Sequence, residues 1–310
     1  MPRFQAPARR SAALALLSAL LAPPILAAQE IVGRQETSFS ISHRIGAGDW
    51  VRVASPHGFI RVTQGGSQVE IQADKEVRQG SVEDVGFVVH RGSEGITVCA
   101  VYDDEDTCGA DGDYRSGKRR RGWWRDHQVK VNFTVRVPAD ARIKVGTGNG
   151  DVSVDGGGAE VVAASGNGRV EVSGTTGEVR ASSGNGRITV EGAQGAVDAS
   201  SGNGDIRVST SLGPVTATSG NGSIDVVMDR LEGSPDMEFT TGNGRITVSV
   251  PEGFGAELQS ITGNGRVLVD FPIQMRGRID PSRVRGTIGK GGGRLTMTTG
   301  NGDLEIQRRD

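Results

Sequence analysis

Aspartate, asparagine and glycine recurring at fixed intervals are the residues of a calcium ladder, and this chain repeats two of them strictly. Ser-Gly-Asn-Gly or Thr-Gly-Asn-Gly returns with Asn149, Asn167, Asn185, Asn203 and Asn221 eighteen residues apart. Asn243, Asn264 and Asn301 follow after 22, 21 and 37 residues. A calcium-binding roll has a glycine-rich nine-residue repeat with an aspartate at its sixth position. Val170, Ile188, Val197 and Ile206 stand there instead. The ligand position carries a core residue, so calcium in the repeats is rejected and no cofactor is expected.

Glycoside hydrolysis would need two or three carboxylates converging on one exposed face of adjacent coils. Asp198, Asp205 and Asp225 come nearest, but arginines interrupt them. His57 has no motif spacing with His43, His90 or His127. No nucleophile elbow, HExxH pair or phosphate loop occurs, and GGGR at 291–294 precedes neither a helix nor a Lys-Ser pair. The chain reads as a non-enzyme. Cys99 and Cys108 are expected to form a structural disulfide in an exported protein.

One segment departs from the pattern. Residues 103–126 read DDEDTCGADGDYRSGKRRRGWWRD, with an acidic run at Asp103–Asp106 and a basic run of Lys118, Arg119, Arg120 and Arg121. Trp123 and Trp124 follow. The order of acids is not that of an EF-hand loop. The two runs can neutralise each other, or the basic run and tryptophans can touch an anionic surface. This loop is the candidate interaction site.

Behind these residues lies a regular scaffold. Each eighteen splits into two nines with apolar residues at the sixth and eighth places, as in Ile188/Val190 and Val197/Ala199. Apolar residues two apart are the strand period, one face inward and one outward. Each nine is a short strand plus a turn, two make one coil, and stacked coils share a narrow core. The predicted fold is all-β, a parallel β-solenoid of 18-residue coils with two short strands each. Glycine permits positive φ, and asparagine tolerates the left-handed region, which places the Asn ladder on the turns. Stacked Asn amides can also hydrogen-bond. The alternating signs of Asp151, Arg169, Arg187, Asp205, Ser223 and Arg245 suggest a solvated mixed face.

Residues 36–75 look like a degenerate opening of the stack, with His57-Gly58 where Asn-Gly stands later. The last strands, Leu295/Met297 and Leu304/Ile306, are expected at the open C-terminal end, where Arg308, Arg309 and Asp310 would discourage further stacking. Residues 1–28 read as a signal peptide, from Arg3, Arg9 and Arg10 through an apolar stretch to Ala27-Ala28. An N-terminal β region is expected over 29–140 and glycine-rich repeats over 141–310. The net charge is −2, and removal of the three signal arginines leaves −5, so nucleic acid is an unsupported partner. No segment of the mature chain is apolar enough to span a membrane.

The TGNGxIxV phrases, the opening GDWVRVASPHGFIRV and the closing GTIGKGGGRLTMTTGNGDLEI resemble a bacterial β-strand-repeat family described as candidate adhesins, formerly a domain of unknown function. The resemblance covers about residues 40–307. It implies a periplasmic or surface-associated structural or adhesin-like module. Its partner would be an envelope protein, a polysaccharide or a lipid headgroup surface. The alternative is a polysaccharide-binding or carbohydrate-active solenoid.

Overall fold

The computed structural model describes residues 29–118, 128–231, 233–275 and 280–309. The expected signal peptide lies outside them. Two sheets, of fourteen and twelve strands, face each other along a flattened stack, and a short hairpin makes a third. Each coil crosses the larger sheet, turns at Gly-Asn-Gly and returns through the smaller one. Glu178–Asn185 and Ile188–Ala193, for example, form one coil. Successive coils pair in parallel with an offset of eighteen, Asn149 on Asn167, Asn167 on Asn185, and Asn185 on Asn203. The architecture is the parallel β-solenoid expected.

The inward pairs supply the core. Val152/Val154, Val170/Val172, Ile188/Val190, Ile206/Val208 and Ile224/Val226 line the smaller sheet, each side chain at most 2% exposed. Val161/Ala163, Val179/Ala181, Val197/Ala199 and Val215/Ala217 face them from the larger sheet. One coil could not bury such a pair; its neighbours above and below do.

Residues 50–64 are a true coil of the stack, with His57 in register with Asn149 and Ile60 with Val152. The parallel order ends soon after. Gly95–Val101 pairs parallel with Trp50–His57 and then antiparallel with Gly86–Gly92. On the smaller sheet, Gln128–Val137 is followed antiparallel by Val69–Gln79 and then by Ser38–His43. Val69 and Ile71 therefore belong to the closing antiparallel strands, not to a further parallel coil.

The C-terminal end corrects the expected order. Arg294–Asn301 lies between Met237–Asn243 and Ala256–Asn264, pairing in parallel with both. Leu304–Arg309 likewise lies between Ile246–Pro251 and Val267–Val269. The last coil in sequence is an interior coil in space. Arg308 and Arg309 do not charge an open end; Arg308 reaches Glu252 on the neighbouring coil and Arg309 reaches Asp229 on the one beyond it. Asp310 lies outside the described residues. The two C-terminal coils present the same inward period, so pattern alone does not rank them, and the excursion 270–293 gives the chain enough length to return. The true end is closed by Arg283–Ile288, antiparallel to Ala256–Asn264, with Ile273–Met275 beyond it.

Candidate functional site

Every copy of the repeated phrase stands at the corner where the chain leaves the larger sheet. The asparagine ends its strand, and its amide points along the stack. Asn167 Nδ2 donates to Asn149 Oδ1 at 2.9 Å, and the same bond joins Asn185 to Asn167, Asn203 to Asn185, Asn221 to Asn203 and Asn243 to Asn221 at 2.7–2.8 Å. The row continues in spatial order, Asn301 to Asn243 and Asn264 to Asn301, both at 2.6 Å. At the other end Asn149 Nδ2 lies 3.2 Å from His57 Nδ1. The eight asparagines and His57 thus form one polar column in which each side chain satisfies the next.

The expected left-handed asparagine is not found. Among the described residues no non-glycine has positive φ. The second glycine of the phrase does take positive φ in six of the eight copies, as at Gly150 (+154°) and Gly168 (+156°), and crowding is a further requirement. A Cβ on Gly168 would stand 2.0 Å from Gly150 O, and one on Gly186 equally close to Gly168 O. The first glycine of the phrase is similarly confined, with Gly166 facing Gly148 O at 2.4 Å. Parallel coils stack corner on corner, and at the corner backbone meets backbone. Both glycines flank each asparagine because no side chain fits there.

A further column escaped the sequence reading. The residue before each Gly-Asn-Gly is Ser or Thr, and its hydroxyl is buried. Ser165 Oγ donates to Gly150 O at 2.8 Å, Ser183 to Gly168 O at 2.9 Å and Ser201 to Gly186 O at 3.0 Å. Thr147, Ser219, Thr241, Thr299 and Thr262 likewise each donate to the equivalent carbonyl of the adjacent coil. The hydroxyl occupies an inward position of the strand and gives a corner carbonyl its partner. The signal was present in the repeated first letter of the phrase.

The residue after the phrase carries charge. Asp151 accepts from Arg169 N and pairs with its guanidinium, both at 2.8 Å. Burial pulls the Asp151 carboxyl upward, but these bonds and the Arg169 charge outweigh it and leave its pKa below the ordinary value. Arg180 joins Glu160 and Glu178 at 2.8 and 2.7 Å on the larger sheet. The three carboxylates weighed for sugar chemistry do not meet. Asp198 is exposed on the larger sheet, whereas Asp225 projects from the smaller one beside Arg207 at 3.6 Å. Asp205 accepts from Ser223 N and faces Arg187. Among the described residues no three His, Cys, Asp or Glu side chains gather as a metal site.

Cys99 and Cys108 are joined, with Cα atoms 6.2 Å apart. The bridge ties the hairpin Thr107–Cys108 and Tyr114–Arg115 to the larger sheet. Asp106 is fully buried beneath it and accepts from Tyr102 N at 2.8 Å, Tyr114 Oη at 2.6 Å and Gly117 N at 2.8 Å. The acidic run is therefore divided: Asp104 pairs with Arg34, while Asp106 turns inward to order its own loop. Lys118 N donates to Glu105 at 3.2 Å. Arg119, Arg120, Arg121, Trp123 and Trp124 lie outside the described residues. Nearby, Lys75 Nζ reaches the carbonyls of Gly33, Arg34, Val82 and Val85 at 2.6–3.1 Å. Burial and the Arg34 charge lower its pKa to about 8.

The stapled loop lies over the outer face of the larger sheet, where Lys144 Nζ holds Asp111 O and Asp113 Oδ1 at 3.0 and 2.8 Å. Beside it opens a groove of about 600 Å³, with Ala54, Gly146 and Ala164 on the sheet and Tyr114 and Ser116 on the loop. The same outward column continues through Ser182, Ser200, Thr218, Thr240 and Thr298. It is uncharged, short-chained and flanked by the glycine column. The smaller sheet instead presents Glu171, Arg207, Asp225 and Glu305 among threonines and serines.

A crystal structure of a candidate adhesin from Bacteroides fragilis is similar over 89% of this chain and 99% of its own, at 13% identity and a TM-score of 0.40. One of a candidate cell adhesion protein from Clostridium sporogenes covers 88% and 99%, at 8% identity and a TM-score of 0.22. No curated protein matches the chain. The family model described as Toastrack DUF4097 matches residues 115–307, most of the stack and its closing coils. The chain belongs to the Toastrack DUF4097 family.

Proposed function

We propose that the protein is a non-enzymatic, exported interaction module of the cell envelope, and that the outer face of the larger sheet is its contact surface. The observation that carries this is the uncharged column from Ala164 through Ser182, Ser200, Thr218 and Thr240 to Thr298, continuous with the groove beside Tyr114. A column of short side chains at the parallel spacing of about 4.8 Å offers hydroxyl groups to a long partner without long side chains of its own to order. The repeated phrase itself is occupied by structure, in its amide, glycine and hydroxyl columns. The Cys99–Cys108 bridge supports an oxidising compartment, as export would provide. The partner class is an envelope protein, a polysaccharide or a headgroup layer.

Binding to envelope fractions, with melting followed in parallel, tests the surface. Ser200→Lys with Thr218→Lys places two bulky charges on exposed positions of the column and should abolish binding while leaving the melt nearly unchanged. Full binding by a folded double variant sinks this surface. The loop carrying Lys118, Arg119, Arg120, Arg121, Trp123 and Trp124 is proposed as a second contact. Its test is Trp123→Ala with Trp124→Ala, which should weaken binding and steepen no thermal loss.

A further inference from the structure

The ends of the two sheets are finished differently. At the C-terminal end the outermost strands, Val267–Val269 and Ile273–Met275, have three residues each, and Val267 N is already bonded to Pro281 O. At the N-terminal end the larger sheet stops at the two residues Ile31–Val32. Short edges offer little to a passing strand. The smaller sheet, by contrast, stops at the six-residue strand Ser38–His43, SFSISH, which contains no proline, lysine or carboxylate.

The direction of its main-chain groups follows from the pairing. Lys75 N donates to Thr37 O, so residue 37 and its alternates face the neighbouring strand Val69–Gln79. Ser38, Ser40 and Ser42 therefore turn their N–H and C=O groups away from the sheet, a ladder of three residues open among the described residues. The inward side chains of the strand, Phe39 and Ile41, are half-buried, as are Val32, Ile45 and Val89 at the same end of the core. Phe39 stacks on Phe87 at 4.7 Å, but among the described residues nothing completes its cover.

We infer that this edge pairs antiparallel with the same edge of a second copy of the chain, joining two smaller sheets into one. The strand is complementary to its own reverse. A two-fold axis at Ser40 sets Phe39 opposite the partner's Ile41 on the core side, and Ser38 opposite the partner's Ser42 on the solvent side. Apolar meets apolar and hydroxyl meets hydroxyl, as cross-strand pairing favours. An edge without carboxylate or lysine has no like-charge penalty against itself. The pairing would satisfy the three outward N–H and C=O pairs of each copy and cover the half-exposed end of each core.

Sedimentation equilibrium and a single introduced thiol test the interface. The wild type should approach twice the mass of one chain as concentration rises. Ser40→Pro removes an N–H that bonds nothing among the described residues and obstructs the edge; it should sediment as one chain with an unchanged melt. Cys99 and Cys108 are already paired, so Ser40→Cys supplies the lone free thiol of the protein. Mild oxidation should link its copies covalently, whereas Ser153→Cys, on a mid-stack strand, should not link. A wild type that stays at one chain's mass overturns the inference. So does a dimer that survives Ser40→Pro, or Ser40→Cys linking no better than Ser153→Cys. Should Ser40→Pro fail to fold, the thiol comparison decides alone.

Discussion

At the residue level, the corner ranks side chains by what stands within reach of them. Gly186→Ala drives a Cβ to 2.0 Å from the Gly168 carbonyl, so the stacked coils must part, at a cost of about 3 kcal/mol or more. Gly192→Ala meets nothing nearer than 4.0 Å and bears only the strain of its φ of +64°, about 1–2 kcal/mol. Asn185→Ala loses two amide bonds on the exposed column, about 0.5–2 kcal/mol. Urea melts should give that order, and a costlier Gly192→Ala would refute the corner clash. Lys75 makes a separate prediction. Its folded pKa of about 8 lies below the ordinary 10.5, so between these values the unfolded chain binds more protons. Wild-type stability should rise with pH across that window relative to Lys75→Met, which has no such group to titrate. Below about pH 8, where both states are protonated, the burial penalty is present in full. Equal pH slopes in the two proteins would sink this assignment. Asparagines and glycines were legible as structural, and so was the positive φ of glycines such as Gly150 and Gly168, but asparagine sits in extended backbone, and the glycines answer to crowding as well. The spacing announces a turn and does not say what presses against it.

At the element level, the coil is the unit, and the depth of its core is only two inward pairs. Ile188→Ala should cost about 2–4 kcal/mol, more than Asn185→Ala, because a void between adjacent coils has no long side chain to fill it. Whole coils should be exchangeable where the register is uniform. Removing residues 186–203 joins Asn185 to Gly204 and leaves every column intact, so the shortened protein should stay cooperative in circular dichroism and melt somewhat lower. Ending the chain at residue 293 should be far more damaging, since it withdraws an interior coil and leaves edges open on both sides of the gap. If that truncation merely trims the melt like the internal deletion, the interior placement is refuted. The coils themselves could be read from period-two apolar pairs such as Val197/Ala199. Their spatial order could not, because Leu295/Met297 and the Ala256–Asn264 strand satisfy the same period. The buried Ser183 could have been read from the phrase it begins, yet a serine before glycine passes for a turn residue until its inward position is counted.

Across the whole molecule, stability comes from repetition along one axis, with antiparallel strands closing both sheets at the N-terminal end and the larger sheet at the other. The columns contain no gathered metal ligands among the described residues, and the repeats carry isoleucine or valine where a calcium roll has its aspartate. Thermal melting in excess chelator and with added calcium should therefore coincide, whereas a native-state ligand would raise the midpoint. A midpoint that climbs with calcium would overturn the core reading of those positions. The interior position of residues 294–309 also has a consequence in time. A chain delivered N-terminus first can zip each coil from Glu160 to Pro251 onto the one before it, with partners only 18–22 residues away. The segment 256–269 then arrives before the neighbour it will keep, and must wait for the final strands to enter beside it. Contacts of this separation make folding slow to finish, whatever the speed of the earlier rungs. A polypeptide interrupted before residue 294, however long its run of repeats, lacks the piece that locks the far end, so the order of strands works as a check that residues 294–309 have been made.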